Sequence, residues 1–251
     1  MFQKQPLLAD VLHNTPGHVQ VHPISSGQAT SFRVARRHLN GLSSELEKRL
    51  LIWLAQRIPA RVNSDHLTGL GFISMFLVGA CYAAARWSHH ALLLSTVFLA
   101  LNWLGDSLDG TLARVRKRER PRYGFYVDHM LDAFGALFLA GGLAISGYVD
   151  WRVASGVLIA FLMLSTEVYL ATYTLGVFRL SFGGLGATEL RLVLAAGNIA
   201  LWRNPLAGVP HTTYRLFDFG GCIAIAALSV MLLIIVPRHV LQLYREERWK
   251  S

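Results

Sequence analysis

Apolar residues in this chain fall into long runs, not into the alternation of a half-buried strand. Runs long enough to approach a bilayer crossing lie at about 66–85, 91–113, 125–148, 152–174 and 218–243. A shorter one at about 188–203 is interrupted by Gly197 and Asn198, and Pro237 is expected to bend or end the apolar part of the last run. Ahead of them, residues 43–58 have helical periodicity. Leu46, Leu50, Trp53 and Leu54 share one face, Glu45, Lys48, Arg49, Gln56 and Arg57 fall mostly elsewhere, Ser44 with Glu47 spells a capping box, and Pro59 ends the segment. Such a helix lies in the plane of a membrane interface. The pattern predicts an all-α integral membrane protein of six transmembrane helices preceded by an interfacial amphipathic helix. It divides into a polar extension (1–40), the interfacial helix (41–62), a six-helix transmembrane domain (63–245) and a short tail (246–251).

Composition agrees. Of 251 residues 53% are hydrophobic and 16% charged, which is too apolar for an ordinary soluble domain. Cys81 and Cys222 both sit inside apolar runs, so they suggest neither a disulfide framework nor a zinc site. The polar start, with Pro6, Pro16 and Pro23, does not read as a cleavable signal peptide. His13, His18 and His22, without a nearby cysteine, do not read as a metal cluster.

The net charge of +9 is unevenly placed. Arg114, Arg116, Lys117, Arg118, Arg120 and Arg122 crowd the connection between the second and third runs, and Arg238, Arg245, Arg248 and Lys250 close the chain. The segment before the first span adds eight more basic residues, while the opposite connections hold only Arg86, Arg152, Arg203 and Arg215. This bias puts both termini and the 114–122 connection on the cytoplasmic side. The charges cap apolar runs without forming an aromatic-interleaved face, so they do not describe a nucleic-acid surface. They suit anchoring and attraction of anionic lipid or phosphorylated substrate.

Four carboxylates break the apolar pattern. Asp106 and Asp109 are three apart, Asp128 and Asp132 four apart, so each pair projects from one helical face. Acids at membrane depth face a cavity, a cation or a partner charge. Four converging acids without matching bases point to a hard divalent cation. Gly110 and Ala113 continue the first stripe, Gly124 begins the second, and Arg114 follows as a phosphate donor.

Asp106, Asp109, Gly110, Ala113 and Arg114, a nine-residue spacer, then Gly124, Asp128 and Asp132 fill the pattern D-x2-D-G-x2-A-R…G-x3-D-x3-D. It resembles the signature of the CDP-alcohol phosphotransferases. The resemblance implies attack of an alcohol on the β-phosphoryl of a CDP-alcohol with release of CMP. It implies Asp106, Asp109 and Asp128 as metal ligands, and Asp132 as general base and contact to a second ion. It further implies two divalent ions, Mg2+ or Mn2+, and a homodimer among membrane lipids. Gly110, Ala113, Arg114 and Gly124 would then receive the nucleotide. Donor and acceptor stay open between CDP-diacylglycerol with a soluble alcohol, which is favoured, and a CDP-aminoalcohol with diacylglycerol. The alternative class is a divalent-cation transporter, which would gain nothing from Arg114 beside its ligands.

Further polar positions are open to two readings each. His129 is a second candidate base or an interfacial histidine. Asn102 would orient an acid or glue helices. Asn63 and Thr68 resemble the family's polar segment leading into the first span. The stretch Gly186 to Arg191 resembles the family's G-P-x-E segment, with Glu189 and Arg191 at an acceptor pocket or in a helix-start ion pair. Glu167 is an intramembrane acid with Arg191 as one possible partner, and Gly183, Gly184 and Gly186 read as a flexible loop.

Overall fold

The computed structural model describes residues 44–176, 187–204 and 215–247. Every element among them is an α-helix: α1 (Ser44–Arg57), α2 (Ser64–Ala84), α3 (Ala91–Val115), α4 (Pro121–Ser146), α5 (Trp151–Leu175), α6 (Ala187–Arg203) and α7 (Leu216–Glu246). The polar extension with His13, His18 and His22, the Gly183–Gly186 loop, and Arg248 and Lys250 lie outside the described residues.

Five helices, α2, α3, α4, α5 and α7, are long and apolar enough to cross a membrane. The sixth expected span is present as α6 but has only 17 residues. At 1.5 Å per residue it measures about 25 Å, short of a ~30 Å hydrocarbon core. Pro121 opens α4 four residues earlier than the apolar run suggested, because its fixed φ and missing N–H suit a helix's first turn. Pro237 does not end α7, which continues to Glu246.

α1 forms as expected but is turned. Leu51 and Ala55 are its buried residues, packed with Leu54 and Ile58 against Leu67, Leu108 and Leu112, while Leu50 and Trp53 are exposed. The helix has two apolar sides, one for protein and one for lipid, and the sequence stripe mixed them. Glu47 accepts a hydrogen bond from Trp103 Nε1 on α3 at 3.1 Å. The capping box with Ser44 involves a side chain outside the described residues. At the other end of α1, Arg116 donates to the carbonyls of Ile58 (2.9 Å), Pro59 (3.0 Å) and Val62 (2.5 Å), satisfying acceptors that the helix terminus and its turn leave open.

α2 is the central helix, packed along α3 and α4. Glycines set the approach. A Cβ on Gly105 would stand 2.7 Å from the Gly71 nitrogen and the Leu67 carbonyl oxygen, and Cβ atoms on Gly79 or Gly142 would overlap the backbone of Phe138 or Gly79. Close backbone contact of this kind holds helices together where lipid removes the hydrophobic drive. Toward the C-terminal end of α2, Tyr82 Oη donates to Asn198 Oδ1 (2.9 Å) and Asn198 Nδ2 to Thr96 Oγ1 (3.1 Å), joining α2, α6 and α3.

Gly142→Val should lower the melting temperature of the detergent-solubilised protein sharply, since α4 would have to leave α2; overpacking typically costs ~1–3 kcal/mol even where neighbours can relax. Gly124→Ala, with open space around its Cβ, should leave the melting temperature unchanged. Equal effects in the two variants would contradict the packing described.

Candidate active site

α3 and α4 carry the four acids. The connection between them is only residues 116–120, so the C-terminal half of α3 and the N-terminal half of α4 face each other at one end of the bundle. Asp109 lies six residues before Val115 and Asp128 seven after Pro121, about 9–11 Å from the helix ends. Asp106, Asp109, Asp128 and Asp132 line a single cavity of about 70 Å³ together with Thr68, Gly71, Phe72, Met75, Asn102, Leu131, Gly135 and Arg191. The two helical stripes therefore converge.

Asp109 is the most enclosed of the four, at 8% exposure. Thr68 Oγ1 donates to its Oδ2 at 2.7 Å, its Oδ1 accepts from the Gly110 N–H, and Ser64 Oγ donates to its backbone carbonyl at 2.8 Å. Ser64 and Thr68 are four apart on the first turns of α2, which explains why both reach the same residue. Asp106 Oδ2 accepts from Arg191 Nη2 at 2.9 Å. Asn102, one turn earlier, donates from Nδ2 to the Gly71 carbonyl (2.9 Å) and accepts at Oδ1 from Arg191 Nε (2.9 Å). Asn102 thus both joins helices and orients a charged neighbour.

The small residues and arginine of the motif do not line this cavity. Ala113 lines a second one, about 360 Å³, with Asn63, Ser64, Asp65, Leu112, Arg116, Arg118, Glu119 and Arg120. Ser64 belongs to its wall while bonding to Asp109, so a single turn of α2 separates the two spaces. At the rim Arg120 pairs with Asp65. Arg114 Nη2 donates to Thr111 Oγ1 at 3.1 Å. A Cβ on Gly110 would meet only the Arg114 guanidinium, 3.4 Å away, and one on Gly124 would meet nothing within 4 Å. Helix packing demands glycine at 79, 105 and 142, and not at 110 or 124.

Two readings that the sequence left open are narrowed. Glu167 pairs with His239, not Arg191: Nδ1 and Oε1 are 2.6 Å apart, joining α5 to α7. Arg191 is engaged by Asp106 and Asn102, which leaves Glu167 to the next helix. His129 is not among the residues lining the acid cavity. Its Nδ1 lies 2.5 Å from the Phe125 carbonyl oxygen, and its ring packs on Phe125 and edge-on to Tyr169 of α5. This is the interfacial placement. Glu189 likewise lines neither cavity.

Among the described residues no three His, Cys, Asp or Glu side chains are gathered tightly enough to grip an ion. The donor chemistry nevertheless fits a hard divalent cation. The cavity wall offers four carboxylates and a hydroxyl, with no thiol or imidazole. Thr68 already orients one carboxylate in the way that partners behind a metal ligand do.

A family model described as CDP-alcohol phosphatidyltransferase matches residues 64–237. The chain belongs to this family. No individual curated protein matches it. The match opens on Ser64, the first residue of α2, and closes at Pro237 in α7, so it contains the acid cavity and all of the second cavity's lining but Asn63, and leaves α1 outside. As a CDP-alcohol phosphatidyltransferase the protein is a membrane enzyme of phospholipid synthesis that moves a substituted phosphate group from a CDP-alcohol to an alcohol. Such enzymes generally depend on a divalent metal. Membership displaces the transporter alternative.

Proposed function

We propose that this enzyme transfers the phosphatidyl group of CDP-diacylglycerol to a soluble alcohol, releasing CMP. Asp106, Asp109 and Asp128 would hold a divalent ion, Mg2+ or Mn2+, and Asp132 would serve as general base beside a second one. The observation that carries the reading is the pair of adjoining cavities. The inner one presents four carboxylates, and the outer one, rich in arginine and edged by Ala113, has the volume and charge for a nucleotide phosphate. Bound divalent cations would neutralise the diphosphate and the departing CMP.

The chain's own residues do the rest. Thr68 and Ser64 fix Asp109, Gly110 and Gly124 leave room that packing does not need, and Arg114 offers a planar guanidinium five residues past Asp109 on α3. Asp132 takes the proton of the attacking hydroxyl, which must lie within hydrogen-bond reach. Because His129 faces Phe125 and Tyr169, the feature favouring an aminoalcohol donor loses its support. Six membrane segments, with α6 as the short one, keep both termini and the 116–120 connection cytoplasmic, where CDP-alcohols are found. α7 has no buried residue in the single chain, which suits a homodimer.

The deciding experiment offers purified enzyme CDP-diacylglycerol or CDP-aminoalcohols with a panel of alcohols, and follows CMP release and the lipid formed. Activity confined to a CDP-aminoalcohol with diacylglycerol would overturn the donor. Two smaller outcomes are expected. Thr68→Val should weaken Mn2+-dependent nucleotide binding ~10–100-fold, the usual cost of losing a group that orients a metal ligand; unchanged binding would remove Thr68 from the site. A single cysteine at residue 118 should be labelled from the cytoplasmic side only, and one at residue 150 from the opposite side only. The reverse pattern would invert the orientation.

A further inference from the structure

Among the described residues that line the acid cavity, Arg191 alone is cationic. Its seat is specific. Nη2 bonds Asp106 and Nε bonds Asn102, both at 2.9 Å, and the Asn102 amide is held by its bond to the Gly71 carbonyl so that its oxygen faces the guanidinium. The pair is only partly covered, with Arg191 at 15% and Asp106 at 34% exposure. Such a pair exchanges partners more easily than a fully buried one.

The two halves of α6 are fastened by different chemistry. Asn198, seven residues on, is fully buried and bonded to Tyr82 and Thr96, and Trp202 Nε1 donates to His90 Nδ1 at 3.2 Å. Those neutral bonds do not respond to a change of charge in the acid cavity. The Arg191 end does, because a divalent cation on Asp106 would compete for the same carboxylate.

We propose that Arg191 is a tethered counter-cation: it holds Asp106 while no divalent ion is bound, and ion binding displaces it, releasing the inner half of α6 from α3 about the Asn198 anchor. This rests on the divalent-ion reading of the four acids. The displaced guanidinium stays in the cavity as a donor for an anionic group.

The test uses the full-length protein in nanodiscs without nucleotide. Mn2+ binding is measured from the electron paramagnetic resonance of the free ion, and amide hydrogen exchange is followed in α6 with and without Mn2+. Arg191→Gln should bind Mn2+ about fivefold more tightly than wild type, the effect of removing a competing pair of ordinary surface strength. In wild type, Mn2+ should speed exchange in residues 187–195 and leave 196–203 unchanged, against the usual slowing by a ligand. That measurement needs no variant, so it decides even if Arg191→Gln fails to fold. Unchanged or weaker Mn2+ binding by Arg191→Gln, or slower exchange at 187–195, would assign Arg191 a structural role and overturn the displacement. Tighter binding without an exchange change would reduce it to a long-range charge effect and overturn it too. If Asp109→Asn abolishes Mn2+ binding while Arg191→Gln behaves as wild type, the ion site stands and this inference falls. If no variant binds Mn2+, both fall.

Discussion

Asp109→Asn is expected to abolish transfer and, with it, the divalent-metal dependence of nucleotide binding. The side chain is nearly isosteric, so the Thr68 hydroxyl and the Ser64 bond to the backbone carbonyl can persist, and the fold should survive. What disappears is one negative charge in a nearly closed space, where a hard cation gains most from it. A fall in turnover of ~10³-fold or more is the scale for removing such electrostatic stabilisation. The measurement is CMP release at saturating metal, beside a Mn2+ titration of nucleotide binding and a melting curve. Near-normal turnover in a folded Asp109→Asn enzyme would refute the ligand assignment, and with it the central claim about the inner cavity.

Asp132→Asn should separate binding from chemistry. Asp132 lies one helical turn beyond Asp128 on the stripe that lines the cavity, further from the 116–120 connection than the other α4 acid. Loss of a general base typically costs ~10²–10⁴-fold in turnover while leaving ground-state contacts in place. Donor affinity is therefore expected to stay within a few-fold of wild type while CMP release collapses. His129→Ala is the comparison. With its ring held against Phe125 and Tyr169, its loss should affect packing more than chemistry. An inactive His129→Ala beside an active Asp132→Asn would mean that the wrong side chain had been chosen as base.

The convergence of the acids was legible because it depends only on period. Spacings of three and four fix which side chains share a face of one helix, and a five-residue connection brings the two faces together. Partner choice across long separations was not legible. Arg191 and Asp106 are 85 positions apart, and Glu167 and His239 are 72 apart. Periodicity says that such a residue points inward but not which inward-pointing residue it meets. The same limit explains α1. Its pattern showed apolar residues on one side of a helix, while the choice of Leu51 and Ala55 over Leu50 and Trp53 depends on where α3 lies. Glycines carried a mixed signal. Those at 110 and 124 stood out by belonging to the motif, whereas the ones that let α2 meet its neighbours looked like ordinary apolar-run residues.

The ties between α1 and α3 have a consequence for how the enzyme sits in its bilayer. Trp103–Glu47 and the three carbonyls gripped by Arg116 fasten α1 and the turn after it to both flanks of the acid-bearing segment of α3. With α1 in the proposed cytoplasmic interface, depth would be referenced to that headgroup plane, like a gauge zeroed at one surface. In a thinner or thicker membrane, the mismatch would be taken up at the far ends of the helices, where α6 is already short. The carboxylates would keep their level relative to the lipid diphosphates they are proposed to meet.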